Sequence, residues 1–207
     1  GACRCFCLRK HRHLYEILQL FYETAAEFIL ECSIIGLAGR DGERRRCFMP
    51  SNYAHHHFGQ RVWRGMPPWM RRYVQADRTL YEIGQHGPDI LFYYGALRSN
   101  PVSAVGYETH EKQGREFFSH GARAWQEAGR PPAMLSYLLG VVCHFTLDAA
   151  CHGYVEKKMQ VSGRSHTEIE TEFDRYLLEA DGWDPLRHRL TRHIRPSNAR
   201  DSMIAPA

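Results

Sequence analysis

Residues 134–155 are apolar for about six helical turns, yet they carry His144, Asp148 and His152 at successive steps of four. Leu135, Leu138, Leu139, Val142, Phe145, Leu147, Ala149 and Ala150 leave this stretch little other polar surface, so one buried helix is predicted. At 3.6 residues per turn, steps of four drift only about 40° each, and the three side chains form one stripe on one face. Burying a carboxylate beside imidazoles without partners costs several kcal/mol. A metal ion removes that cost, and so does a set of well-made hydrogen bonds.

A second pair, His166 and Glu170, is again four apart on the next predicted helix, with Ser165 or Ser162 as candidate caps. Ile169, Phe173, Tyr176 and Leu177 supply that helix's apolar face. Three further candidates stand upstream. His55 opens a triple with His56 and His57, four residues before Gly59, and His56 is the fallback within the triple. Asp89 follows a Gly-Pro turn and precedes the aromatic run Phe92, Tyr93, Tyr94. His110 closes the stretch Gly106-Tyr-Glu-Thr and precedes another helical pattern. Singly these are ordinary surface or capping residues. It is the order His, Asp, His, His-x3-Asp-x3-His, His-x3-Glu that points to metal.

That order resembles the zinc-dependent phospholipase C family, within a larger group of trinuclear zinc phosphodiesterases that includes single-strand nucleases. The likeness rests on the stretch 49–59 (Met-Pro-Ser-Asn-Tyr-Ala-His-His-His-Phe-Gly) and on 84–94 (Gly-Gln-His-Gly-Pro-Asp-Ile-Leu-Phe-Tyr-Tyr). It extends through Asn100-Pro-Val, Gly106 to His110, the central run, and His166 to Asp174, and is closest to the compact, unsecreted bacterial members. The resemblance implies two to three zinc ions. Asp89, His110, His144 and Asp148 would hold one, and His152, His166 and Glu170 a second. His55 and a bridging Asp148 would hold the third, completed in the family by the free amine and carbonyl of the first residue. Some secreted members place more residues between the central Asp and the following His, a departure that falls on His152. It also implies a phospholipid or other phosphodiester as substrate, with peripheral membrane contact.

Such a ligand set suits phosphodiester hydrolysis. The substrate is anionic and repels hydroxide; zinc neutralises phosphoryl oxygens and lowers the pKa of bound water from about 15.7 to about 7. Asp148 and Asp89 are the expected catalytic carboxylates, the first bridging two ions, the second orienting or deprotonating the attacking water. Imidazoles and carboxylates without thiolates point to a hydrolytic rather than a structural site. Tyr107, Glu108 and His86 are the candidates for orienting the histidines. Glu-x-x-His pairs, His-Glu-x-x-His and His-Asp dipeptides are all absent, which excludes di-iron bundles, the corresponding metalloproteases and His-Asp phosphohydrolases. The alternatives left are a non-catalytic zinc-binding helical protein and a nuclease-type phosphodiesterase of the same group.

Two hundred and seven residues are expected to form one sizeable domain. Lys and Arg number 27 against 23 Asp and Glu, too balanced for a dedicated nucleic-acid binder. The short clusters Arg44–Arg46 and Arg71–Arg72 are expected at the solvated surface, and Trp63, Trp69, Phe92, Tyr93 and Tyr94 in the core. No uninterrupted apolar run reaches spanning length, so no transmembrane helix is expected. Cys143 and Cys151 would lie about 12 Å apart along one helix, too far to bridge, and a reduced, cytoplasmic setting is expected. An extension, 1–48, precedes the helical domain, 49–197. Its expected origin is an over-extended translation start with Met49 as initiator, an accessory helix being the alternative. Residues 198–207 are expected as a tail or a truncated end. The predicted fold is all-α, a multi-helix bundle with a metal cluster between helices, from segments at about 55–65, 70–83, 111–128, 132–158 and 165–180.

Overall fold

The computed structural model describes residues 52–194 except 97 and 113, together with residues 23 and 24. The expectations for 1–48, for the Met49 start and for 198–207 therefore lie outside the described residues. Within them the fold is all-α, without a strand.

Helix α1 (Asn52–Gly65) starts against a carboxylate from a distant helix: Asp174 accepts the N–H groups of Tyr53 and Ala54 at 3.1 and 2.8 Å. A negative charge there offsets the helix dipole and satisfies two of its first donors. Helix α2 (Pro68–Ala76) begins with proline at its first position, where a missing N–H costs nothing. The single helix expected at 70–83 breaks at Asp77, whose side chain accepts from Leu80 N–H at 3.1 Å and starts α3 (Arg78–Gly84). A 3₁₀ helix follows (Gly87–Tyr93).

The sequence reading did not anticipate α4 (Pro101–Glu111). Its start is nonetheless well specified, with Asn100 and Ser103 forming a reciprocal capping box around Pro101. The next helix, α5 (Gly114–Glu127), therefore begins three residues later than the expected 111. The long helix α6 (Pro132–Ser162) ends at Gly163, which adopts the left-handed φ of 67°. Ser165, one of the two candidate caps, starts α7 (His166–Ala180) with Glu168 closing its capping box.

Helix α6 is the central element; α1, α2, α3, α5, α7 and the 3₁₀ helix all pack on it. Its closest neighbour is α3, and glycines make the approach possible. A Cβ on Gly140 would stand 2.2 Å from the Tyr81 carbonyl oxygen, and one on Gly84 would stand 2.3 Å from that of Tyr137. Phe58, Val62, Met66, Met70, Val74, Tyr81, Cys143, Leu147 and Leu177 form the buried core around this crossing. Each large apolar side chain there contributes about 1.5–3 kcal/mol.

Three smaller expectations change. Helix α6 does reach spanning length and apolarity, with an 18-residue window of mean hydropathy 1.5. Part of that apolarity faces other helices, with Met134, Leu138, Val141, Cys143, Leu147 and Val155 buried among them. Tyr94 is 65 % exposed rather than core, whereas Trp63 and Trp69 do pack against the core. Arg71 is not simply solvated, since it donates to the carbonyls of Arg64 and Met66.

Candidate metal centre

The stripe on α6 turns toward α1, the 3₁₀ helix and α4. His144 and Asp148 meet His55 of α1 there: His144 Nε2 lies 3.0 Å from Asp148 Oδ2, and His55 Nε2 lies 3.3 Å from Oδ1. Asp148 thus presents one oxygen to each of two imidazoles. The rings of His55 and His144 stack with centroids 4.2 Å apart. On the other side of His144, Asp89 and His110 approach with Oδ1 to Nε2 at 2.9 Å. His55, His144 and Asp148 form one set whose donor atoms all lie within 4.8 Å, and Asp89, His110 and His144 form another. His144 belongs to both.

The third expected set is looser. His166 Nε2 and Glu170 Oε1 are 2.8 Å apart at the start of α7, and the His152 ring sits edge-on to His166 with centroids 5.7 Å apart. His152 is exposed. The eight candidate ligands therefore fall into one linked group of five around His144 and a separate group of three beside α7. Five fall into the two tight sets, His166 and Glu170 pair with each other, and His152 does not close to that range with its expected partners.

Two histidines are aimed by main-chain carbonyls. His144 Nδ1–H donates to the Gln85 carbonyl at 3.3 Å, and His110 Nδ1–H donates to the Gly106 carbonyl at 2.9 Å. Each bond fixes the ring's orientation and turns Nε2 toward the carboxylates. These partners replace the expected ones. Tyr107 stacks on Phe92, Glu108 pairs with Lys112, and His86 bonds to Asn52 and His193. Carbonyls carry no residue signature, so no sequence signal marked them. Gly87 was likewise missed: at φ 50°, it passes so close to His144 that a Cβ would stand 2.3 Å from the ring.

The site's electrostatics call for a cation. Burial alone would lower the His55 pKa, but Asp148, Asp89 and Glu170 outweigh it and hold the imidazole up to about 9. His110 is raised to about 9, chiefly by its hydrogen bond to Asp89. Burial would raise Asp148, yet His55 and His144 pull its carboxyl well below the usual range. Protons on imidazoles thus stand where a metal's charge would. The donor set fits zinc in a second respect: His144 Nε2 is buried without a hydrogen-bond partner, its 3.0 Å approach to Asp148 being out of line. A buried imidazole nitrogen left with a bare lone pair is suited to ligation.

Within the histidine triple, only His55 reaches this cluster; His56 turns to the Gln85 side chain and His57 to Asp181. The family model for zinc dependent phospholipase C matches the chain over residues 54–204. No curated protein and no solved structure matches it.

Proposed function

The chain belongs to the zinc-dependent phospholipase C family, and we propose that it hydrolyses phosphodiester bonds of phospholipids by direct attack of water on phosphorus. The observation that carries the reading is Asp148, a half-buried carboxylate with one oxygen on His55 and the other on His144. In this reading His55, Asp89, His110, His144 and Asp148 would hold up to two zinc ions, with Asp148 paired to both His55 and His144. His152, His166 and Glu170 hold a third at the exposed edge.

Zinc bound there would supply an acidified water and positive charge for the phosphoryl oxygens. The chain's own groups do the rest. Asp89 is 7 % exposed and anchored on His110, so its carboxylate is fixed where it can accept the proton of the attacking water. Water oxygen adds to phosphorus, the ester oxygen departs with a proton, and a phosphomonoester and an alcohol result. The Gln85 and Gly106 carbonyls hold the His144 and His110 rings with Nε2 turned toward the carboxylates. Phe92 lies between the Tyr107 and His110 rings, centroids 4.6 and 5.6 Å away, and forms one wall beside His110.

Turnover of phosphatidylcholine vesicles, a soluble aryl phosphodiester and single-stranded DNA, each by parent, Asp148→Asn and Glu170→Gln, tests this. Asp148→Asn should lose at least about 100-fold, and Glu170→Gln about tenfold, because one carboxylate serves two ions and the other serves one. Phospholipid should be the preferred substrate of the three. Equal turnover by Asp148→Asn and the parent would remove this site from catalysis, and preference for DNA would move the activity to the nuclease type.

A further inference from the structure

The turn Gln85-His86-Gly87 touches His144 twice. The Gln85 carbonyl accepts from His144 Nδ1–H at 3.3 Å, and a Cβ on Gly87 would stand 2.3 Å from the His144 ring. Where this turn lies therefore decides where His144 points. Backbone bonds from Gln85 and His86 to the Tyr81 and Ile83 carbonyls tie the turn back to α3. Its other attachments are made by side chains.

Gln85 and His86 are both buried, and α1 holds each of them. Gln85 Oε1 accepts from His56 Nδ1–H at 3.0 Å, and Asn52 Oδ1 accepts from His86 Nδ1–H at 3.1 Å. The second bond leaves His86 Nε2 with its lone pair, and His193 Nε2–H donates to it at 2.6 Å. His193 comes from residues 183–194, which follow α7 through short turns with no further helix among the described residues. Its ring also stacks on His56, with centroids 3.9 Å apart. One side chain thus bears on both buried residues of the turn, on His86 directly and on Gln85 through His56.

We propose that His193 is a positioning residue: from outside the candidate ligands it clamps the Gln85-His86-Gly87 turn against α1 and so fixes the aim of His144. Its consequence for metal rests on the reading of His144 as a zinc ligand. Without His193, a buried acceptor on His86 would lose its donor and the His56 ring would lose its stacking partner. Both losses fall on the residues that carry the Gln85 carbonyl and Gly87 to His144. A metal ligand displaced by a fraction of an ångström binds less well, which is why groups beyond the ligands themselves matter to affinity.

Two measurements on the full chain test this, hydrogen exchange without zinc and zinc competition with a chromophoric chelator. In the zinc-free protein, His193→Ala should speed exchange of peptides covering 84–90 about tenfold while α7 keeps its protection. The competition is run in a Glu170→Gln background, so that the group around His144 dominates the titration. There His193→Ala should weaken zinc about tenfold, and His193→Gln, whose amide can still donate to His86, should stay within about threefold of the parent. Unchanged exchange of 84–90 in His193→Ala would overturn the proposal whether or not zinc binds. So would parent-like zinc affinity in that variant, or equal losses in His193→Ala and His193→Gln, which would leave His193 only filling space. A parent that binds no zinc while 84–90 still depends on His193 would sink the zinc reading alone and uphold the clamp.

Discussion

At Gly87 the backbone turns through a φ of 50° with the His144 ring against it, and a Cβ would stand 2.3 Å from Cδ2. Gly87→Ala therefore combines a strained backbone, worth roughly 1 kcal/mol, with a push on a buried ligand. We expect zinc affinity to fall 10- to 100-fold, measured by competition with a chromophoric chelator, with helix content unchanged. Parent-like affinity would mean that His144 does not depend on this close approach. The residues that were legible in the sequence are those whose chemistry sits in the side chain: five of the eight His, Asp and Glu at helical or motif spacing gather around His144, and His166 and Glu170 pair on α7. What orients them was not legible. The Gln85 and Gly106 carbonyls have no sequence identity as acceptors, and the His86–His193 bond joins residues 107 apart, which no local spacing can announce.

The elements follow the same division. Helices α6 and α7 were readable because apolar periodicity, a Ser-x-x-Glu start and a glycine stop agree. The break at Asp77 was not, since the apolar pattern continues through both α2 and α3 and only the cap's geometry separates them. Helix α4 was missed because much of its apolar content, such as Val105 at 53 % and Tyr107 at 65 % exposed, faces outward, leaving no buried stripe to detect. Its Asn100-Pro101-Val-Ser103 cap was the usable signal. Asp174 shows how one element places another. It holds the first turn of α1, and His55 lies on the residue after Ala54, whose N–H it accepts. Asp174→Ala should cost about 1–2 kcal/mol. For a chain of this size that is roughly 2–8 °C in Tm by thermal scan, and weaker zinc binding should accompany it. An unchanged Tm would show that α1 is positioned by its apolar face alone.

For the whole molecule, an apolar helix was expected at the middle of a bundle with its polar stripe on a metal site, and α6 packs against six other elements. Its composition reaches that of a membrane span, and its buried side chains are those that meet the neighbouring helices. The ligand stripe is the exception to that apolarity. There the charge balance is struck by the His55 and His110 imidazoles, raised to about 9, beside the depressed Asp148 carboxyl, an arrangement that a divalent cation would relieve. Zinc per chain, measured by elemental analysis on protein purified without chelator and followed by phospholipid turnover before and after chelation, tests this most directly. We expect between one and three zinc ions per chain, turnover abolished by chelator, and recovery on adding zinc back. Less than one zinc per chain, or turnover indifferent to the chelator, would contradict a metal-dependent hydrolase at this site.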